Sequence, residues 1–171
     1  GGGCKWRRAM SKHDIVVTVN GKKVAGSVEP RMSLLDFLRS EIGLTGTHMG
    51  CEHGVCGACS VLVDDVPLRS CLMLAVQAHN HAITTVEGLC NEDGSTGELQ
   101  DAFRDAHGMQ CGYCTPGMLI SAHALLESNK DPSVDDIKEA IGGNLCRCTG
   151  YVQIIEAIQL AASRKMEAGP S

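Results

Sequence analysis

The residues able to do chemistry are concentrated in cysteine. The stretch Gly50-Cys51-Glu52-His53-Gly54-Val55-Cys56-Gly57-Ala58-Cys59, followed by Cys71, carries a C-x4-C-x2-C…C pattern. That is the thiolate spacing of a plant-type [2Fe–2S] cluster. Zinc ribbons use two C-x2-C knuckles and fewer glycines, so a structural zinc or a pair of disulfides fits this loop less well. Gly54 and Gly57 stand where a loop must take positive φ or turn its N–H groups onto sulfur.

A second group follows. Cys111-Gly112-Tyr113-Cys114 and Cys146-Arg147-Cys148 each immediately precede a helical pattern, opening at Thr115-Pro116 and at Thr149-Gly150-Tyr151. Two helix N-termini then bring positive dipole ends and unpaired N–H groups to one place, as an anionic cluster held by four thiolates requires. Spacing alone leaves zinc open for this set. A first [2Fe–2S] site in the same chain gives a second one a purpose that a structural zinc lacks.

Of the ten cysteines, Cys4 and Cys90 have no partner at ligand spacing and read as a tail thiol and a linker or small apolar residue. The seven histidines offer no alternating Cys/His pair of the Rieske kind. His48 and His53 read as loop residues beside the first cluster, and His13, His79, His81, His107 and His123 as surface positions or supports behind a site, not as catalytic groups.

Composition narrows the function classes. The chain has 171 residues and 43% hydrophobic content, enough for one large or two small cores. A formal charge of −5 argues against nucleic acid, which demands a basic footprint. Two clusters at about −2 each, thiolates included, take the net charge from −5 to roughly −9. Metal-type cysteine spacing points to a reducing, cytoplasmic setting. Arg7-Arg8 has no apolar segment behind it and reads as chance. No stretch approaches the ~20 apolar residues of a membrane span. Residues 1–10, with Gly1-Gly2-Gly3 in front and Met10 as a natural start, read as a peripheral leader.

The elements that position the ligands follow from the same chain. Ile15 to Val19 and Lys23 to Val28 flank Asn20-Gly21, a hairpin with a type I′ turn. Ser33 and Asp36 cap a helix whose apolar face is Leu34, Leu35, Leu38 and Ile42, ended by Gly43. After the loop come the strand Ser60 to Val63, a turn at Asp64-Asp65, a return strand from Val66, and a last strand at Ala82 to Val86. This predicts a β-grasp ferredoxin domain over 11–88. The polar run Asn91 to Gly97 marks a boundary, and 89–171 is predicted as an all-α, four-helix domain. Its helices run Glu98 to Ala106, from Thr115-Pro116 with threonine as N-cap and proline at N1, Ser133 to Ile141, and Val152 to Arg164. The fold class is α+β.

The two cysteine loops together with Gln110-Cys111-Gly112-Tyr113-Cys114-Thr115-Pro116-Gly117 and Gly143-Asn144-Leu145-Cys146-Arg147-Cys148-Thr149-Gly150-Tyr151 closely resemble the small iron–sulfur subunit of molybdenum hydroxylases. That is the family of xanthine oxidase, aldehyde oxidase and carbon monoxide dehydrogenase. The resemblance runs from 13 to about 165, in order. It implies Cys51, Cys56, Cys59 and Cys71 on one [2Fe–2S] cluster and Cys111, Cys114, Cys146 and Cys148 on another. It implies a large subunit with a molybdopterin cofactor, usually a medium subunit with FAD, and Gln110 and Cys148 beside the pterin. One departure is Asp65, where the family commonly has glycine, a matter of turn geometry and not of ligation.

The chain shows no dinucleotide fingerprint, no phosphate loop and no nucleophile–base constellation. It reads as an electron-transfer subunit with no substrate site of its own. The competing readings are a diffusible ferredoxin and a zinc-bearing interaction module. A monomer on gel filtration would mark the first and colourless protein the second.

Overall fold

The computed structural model describes residues 11–167; the leader and Cys4 lie outside them. Strands β1 (His13–Val19) and β2 (Lys22–Val28) pair antiparallel in register His13 with Val28. Their turn holds Asn20 at φ 48° and Gly21 at φ 76°, both left-handed, as type I′ geometry requires. Ile15, Val17 and Val19 point into the core while Val16 stays exposed, the period-2 pattern of a half-buried strand.

Strands β3 (Ser60–Val63), β4 (Val66–Arg69) and β5 (Ala82–Thr84) complete one mixed sheet in the order β2-β1-β5-β3-β4. Only the β1–β5 pair is parallel. The β3–β4 turn places Asp64 at φ 47° and Asp65 at φ 65°. A glycine-favouring conformation is therefore carried by two aspartates, a tolerance their short polar side chains provide. Asp64 also caps the sheet, since its Oδ1 accepts from the Ala82 N–H at 2.9 Å.

The segment after Ser33 differs from a plain helix. Helix α1 covers only Leu34–Asp36 and continues as a π-type turn over Phe37–Glu41, closed by the Ile42 N–H on the Phe37 carbonyl at 3.1 Å. The wider turn puts Phe37 inward beside Leu34 and Leu38, all fully buried, while Ile42 only packs against the edge. Strand β5 stops at Thr84 and Val86–Leu89 forms a 3-10 turn.

Four further helices follow: α2 (Glu98–Asp105), α3 (Thr115–Ser128), α4 (Val134–Ile141) and α5 (Val152–Glu167). Ser133 and Asp136 form a reciprocal cap on α4. At α3 the cap falls one residue earlier than expected: Cys114 is the N-cap and Thr115 the first helical residue. Phe103, Met118, Ile137, Ile141, Ile154 and Ile158 fill a core separate from the one built on the sheet.

The two cores meet where α3 lies against β3, at a very close approach. A Cβ on Gly117 would stand 2.2 Å from the carbonyl oxygen of Gly57. Gly57 itself has φ +74°. Glycine is required on both sides of this contact.

Candidate metal centres

The first loop is shaped by its glycines and by Arg39. The Arg39 guanidinium donates to the carbonyls of Thr45 and Thr47 at 2.7 and 2.8 Å, fixing the chain as it enters the loop. Glu52 at φ 59°, Gly54 at 82° and Gly57 at 74° then curl the backbone around Cys51, Cys56 and Cys59. The Cys56 N–H donates to Cys51 Sγ at 3.3 Å. Arg69 and Ser70, just before Cys71, lock the far side: Ser70 Oγ donates to the Cys59 carbonyl at 2.7 Å and Arg69 to Ser60 Oγ at 2.6 Å.

The thiols stand in pairs. Cys51 contacts Cys56 and Cys59 contacts Cys71. In the second group Cys111 and Cys148 lie with sulfurs 3.5 Å apart, and Cys114 contacts Cys146. A tetrahedral metal with bonds of about 2.3 Å sets two of its sulfurs about 3.8 Å apart. Each pair thus suits one metal, and each loop system supplies two such pairs, the donor set of a two-iron centre. Among the described residues no group of three or more His, Cys, Asp or Glu donors gathers tightly enough to hold a single ion.

Electrostatics divide the thiols unevenly. The N–H of Cys56, then that of His53, bring the Cys51 thiol down to about 6. Burial, and then the neighbouring Cys59 thiol, push Cys71 up to about 11. Burial followed by Cys146 pushes Cys114 up to about 12. The Tyr113 N–H chiefly lowers Cys111, and Cys111 in turn raises Cys148. Burial would raise Cys146, but the Thr149 hydroxyl and nearby N–H groups outweigh it and hold this thiol below its ordinary value. Facing thiols share protons in this way until a metal displaces them.

The two loop systems face each other across a cavity of about 190 Å³ lined by Gly50, Cys56, Ala58, Tyr113, Cys114 and Cys146 among others. The Leu145 N–H donates to the Cys56 carbonyl at 2.9 Å. Asn144, 1% exposed, donates through Nδ2 to the Gly57 carbonyl at 3.1 Å and accepts from Ser121 Oγ at 2.9 Å. Arg69 reaches the Gly143 carbonyl at 2.6 Å. Tyr113 donates its hydroxyl to the Met49 carbonyl, and its ring stacks on His48 at 4.8 Å.

All eight cysteines singled out by spacing are thus brought into two groups. Gln110 lies exposed at the rim of the second, its Nε2 donating to the Cys148 carbonyl at 3.3 Å. Cys90 stands apart, partly buried, with Gln100 Nε2 3.5 Å from its sulfur. His123 is half-buried on α3 beside Leu126 and Ala161, where burial lowers its basicity. Spacing gave no notice of Asn144, Arg69, Thr149 or Tyr151, because their partners are distant in the chain or depend on the turn after Cys148.

Comparison with known proteins agrees with this geometry. Residues 17–82 match the family described as 2Fe-2S iron-sulfur cluster binding domain, and residues 85–159 the [2Fe-2S] binding domain. The chain is 56% identical over 153 residues to the caffeine dehydrogenase subunit gamma of Pseudomonas sp. (strain CBB1), covering 88% of this chain and 91% of that one. It is 50% identical over 145 residues to the nicotine 6-hydroxylase small subunit of Paenarthrobacter nicotinovorans, covering 85% and 87%. Its fold superposes on quinoline 2-oxidoreductase from Pseudomonas putida 86 with a TM-score of 0.88 and 50% identity, over 94% of this chain and 99% of that chain. The chain belongs to the family of small iron–sulfur subunits of the molybdenum hydroxylases.

Proposed function

We propose that the chain is the electron relay of a multi-subunit molybdenum-containing dehydrogenase, with Cys51, Cys56, Cys59 and Cys71 holding one [2Fe–2S] centre and Cys111, Cys114, Cys146 and Cys148 the other. Each centre, when bound, accepts and releases one electron at a time, dividing the pair removed from substrate elsewhere in the complex. The chain's own residues supply thiolates, N–H donors and burial. The observation that carries the reading is the Leu145 N–H on the Cys56 carbonyl at 2.9 Å: a ligand of one centre is joined, through one hydrogen bond and one peptide unit, to Cys146 of the other.

In this reading 11–88 forms a β-grasp ferredoxin domain and 89–171 a four-helix domain. Electrons enter at the helical centre, where Cys111 and Cys148 are exposed and Gln110 stands beside them. Gln110 and Cys148 meet the molybdopterin of a large subunit, a glutamine amide offering both donor and acceptor to a pterin edge. Electrons leave from the ferredoxin centre toward FAD on a medium subunit or another acceptor. Exposed apolar side chains support docking at both ends: Met109, Tyr113, Leu145 and Val152 around the helical centre, Val55 and Leu72 around the other. Among the described residues no helix is long and apolar enough to cross a membrane. The metal-type cysteine spacing supports a reducing, cytoplasmic setting for the complex. The similarity to subunits of caffeine, nicotine and quinoline enzymes supports aromatic N-heterocycles as the substrate class.

Affinity purification of the tagged chain from its native host tests the relay. Molybdenum and a large subunit should accompany it in fixed ratio. A chain that elutes alone, with both centres loaded, would support a diffusible ferredoxin instead.

A further inference from the structure

We propose that the hydroxyls of Thr149 and Thr115 donate hydrogen bonds to the sulfur of the helical centre and hold its reduction potential above the value that thiolates and burial alone would set. The proposal rests on the reading of Cys111, Cys114, Cys146 and Cys148 as the ligands of that centre.

Thr149 Oγ1 lies 3.2 Å from Cys146 Sγ. The same oxygen accepts the Tyr151 N–H at 3.1 Å, so its lone-pair side is engaged and its proton is directed elsewhere. An iron-bound thiolate has no proton to give, which makes the hydroxyl the donor and the sulfur the acceptor. The backbone N–H of Cys146 is not free to serve sulfur, being committed to Tyr151 Oη at 3.0 Å. Backbone N–H groups meet sulfur in both centres, that of Cys56 on Cys51 and those of Thr149 and Cys148 on Cys146; the side-chain hydroxyl on Cys146 is added to them only in the helical one among the described residues.

Thr115 supplies the second observation. It is 8% exposed, follows Cys114 directly, and its Oγ1 is buried without a hydrogen-bond partner among the described residues. A buried hydroxyl with no acceptor is costly and calls for an explanation. Cys114 is the neighbour of Cys146, so both threonines flank the pair of thiols assigned to one iron. No cysteine sulfur among the described residues accepts from the Thr115 hydroxyl; the acceptor it lacks would come with the bound centre, as the inorganic sulfide beside Cys114.

The electronic consequence follows from charge. One-electron reduction of the centre takes the cluster with its thiolates from about −2 to about −3, with no bond made or broken and no proton taken up. Donors aimed at sulfur favour the more negative state, and their removal favours the oxidised one. The electron comes from the substrate-oxidising subunit in the complex and from dithionite in a titration.

The test is an EPR-monitored redox titration of the full chain with both centres loaded, using dithionite. Thr149→Val and Thr115→Val should each move the helical centre's midpoint to more negative potential, and further together, with the ferredoxin centre's midpoint unmoved. Thr149→Ser, which keeps the hydroxyl, should restore the wild-type midpoint. A loaded helical centre whose midpoint is unchanged in both valine variants overturns the proposal. If Thr149→Val does not hold the centre, Thr115→Val decides alone, because that hydroxyl has no protein partner to lose. A merely unsatisfied hydroxyl would there give a more stable protein and an unshifted midpoint. Absence of a second signal from the unmodified chain would instead remove the assignment of the site.

Discussion

Leu145 and Cys56 are joined backbone to backbone, the N–H of one on the carbonyl of the other at 2.9 Å. The bond lies between a loop of the sheet half and a loop of the helical half, and each loop ends or begins at a cysteine of its own group. Around it, Asn144 ties Gly57 to Ser121 and Arg69 ties Ser60 to Gly143. The two halves are thus fastened between their two cysteine groups.

Asn144→Ala should loosen that fastening. The Gly57 carbonyl keeps the Ser60 N–H and Oγ as donors, but the buried Ser121 hydroxyl loses its acceptor, costing about 1–3 kcal/mol. Thermal unfolding of the loaded chain measures the loss. A variant as stable as the parent would show that the amide is not a structural bridge.

Gly117→Ala separates local preference from tertiary contact. Alanine in a helix interior is better than glycine by about 1 kcal/mol, so helix propensity predicts a gain. The Cβ would stand 2.2 Å from the Gly57 carbonyl oxygen, a clash with backbone that no side-chain rotation relieves, so the structure predicts a net loss. A raised unfolding temperature would contradict the packing of α3 on the first cysteine loop.

Much of this architecture is legible locally. Asn20-Gly21, the Ser60 to Val63 strand and the Ser133–Asp136 cap are short-range signals, each carried by residues within a few positions of one another, and the structure has them where expected. The π-type turn at Phe37–Glu41 is not legible, because Leu34, Leu35, Leu38 and Ile42 satisfy an ordinary helical period and only packing of Phe37 decides otherwise. Thr115 and Cys114 exchange roles at the α3 cap, a shift of one residue that propensity does not resolve. The eight thiols are visible as spacing, but the crossed pairing of Cys111 with Cys148 and Cys114 with Cys146 depends on how α3 and α5 meet. Asn144 is invisible for the same reason: its partner Gly57 belongs to the other half of the fold.

Single-ligand variants should separate the two centres. Cys56→Ser removes a thiolate of the ferredoxin centre and should leave about two irons per chain on the helical one; Cys114→Ser should do the converse. Iron analysis with EPR reads both. Loss of both centres in either variant would mean that the halves do not hold their clusters independently.

Gln110 is placed for contact outside the chain. Its side chain is exposed and makes one bond to the Cys148 carbonyl, so Gln110→Ala should keep both EPR signals while slowing their reduction by substrate in the assembled enzyme. Unchanged rapid-mixing rates would leave the glutamine with a local backbone role only.

The relay depends on one chain holding two two-iron centres. Chemical analysis of the intact, natively purified chain addresses it directly. About four iron and about four acid-labile sulfide per chain are expected, with no stoichiometric zinc and two distinct EPR signals after dithionite reduction. About two irons with one zinc, or a single signal, would contradict it.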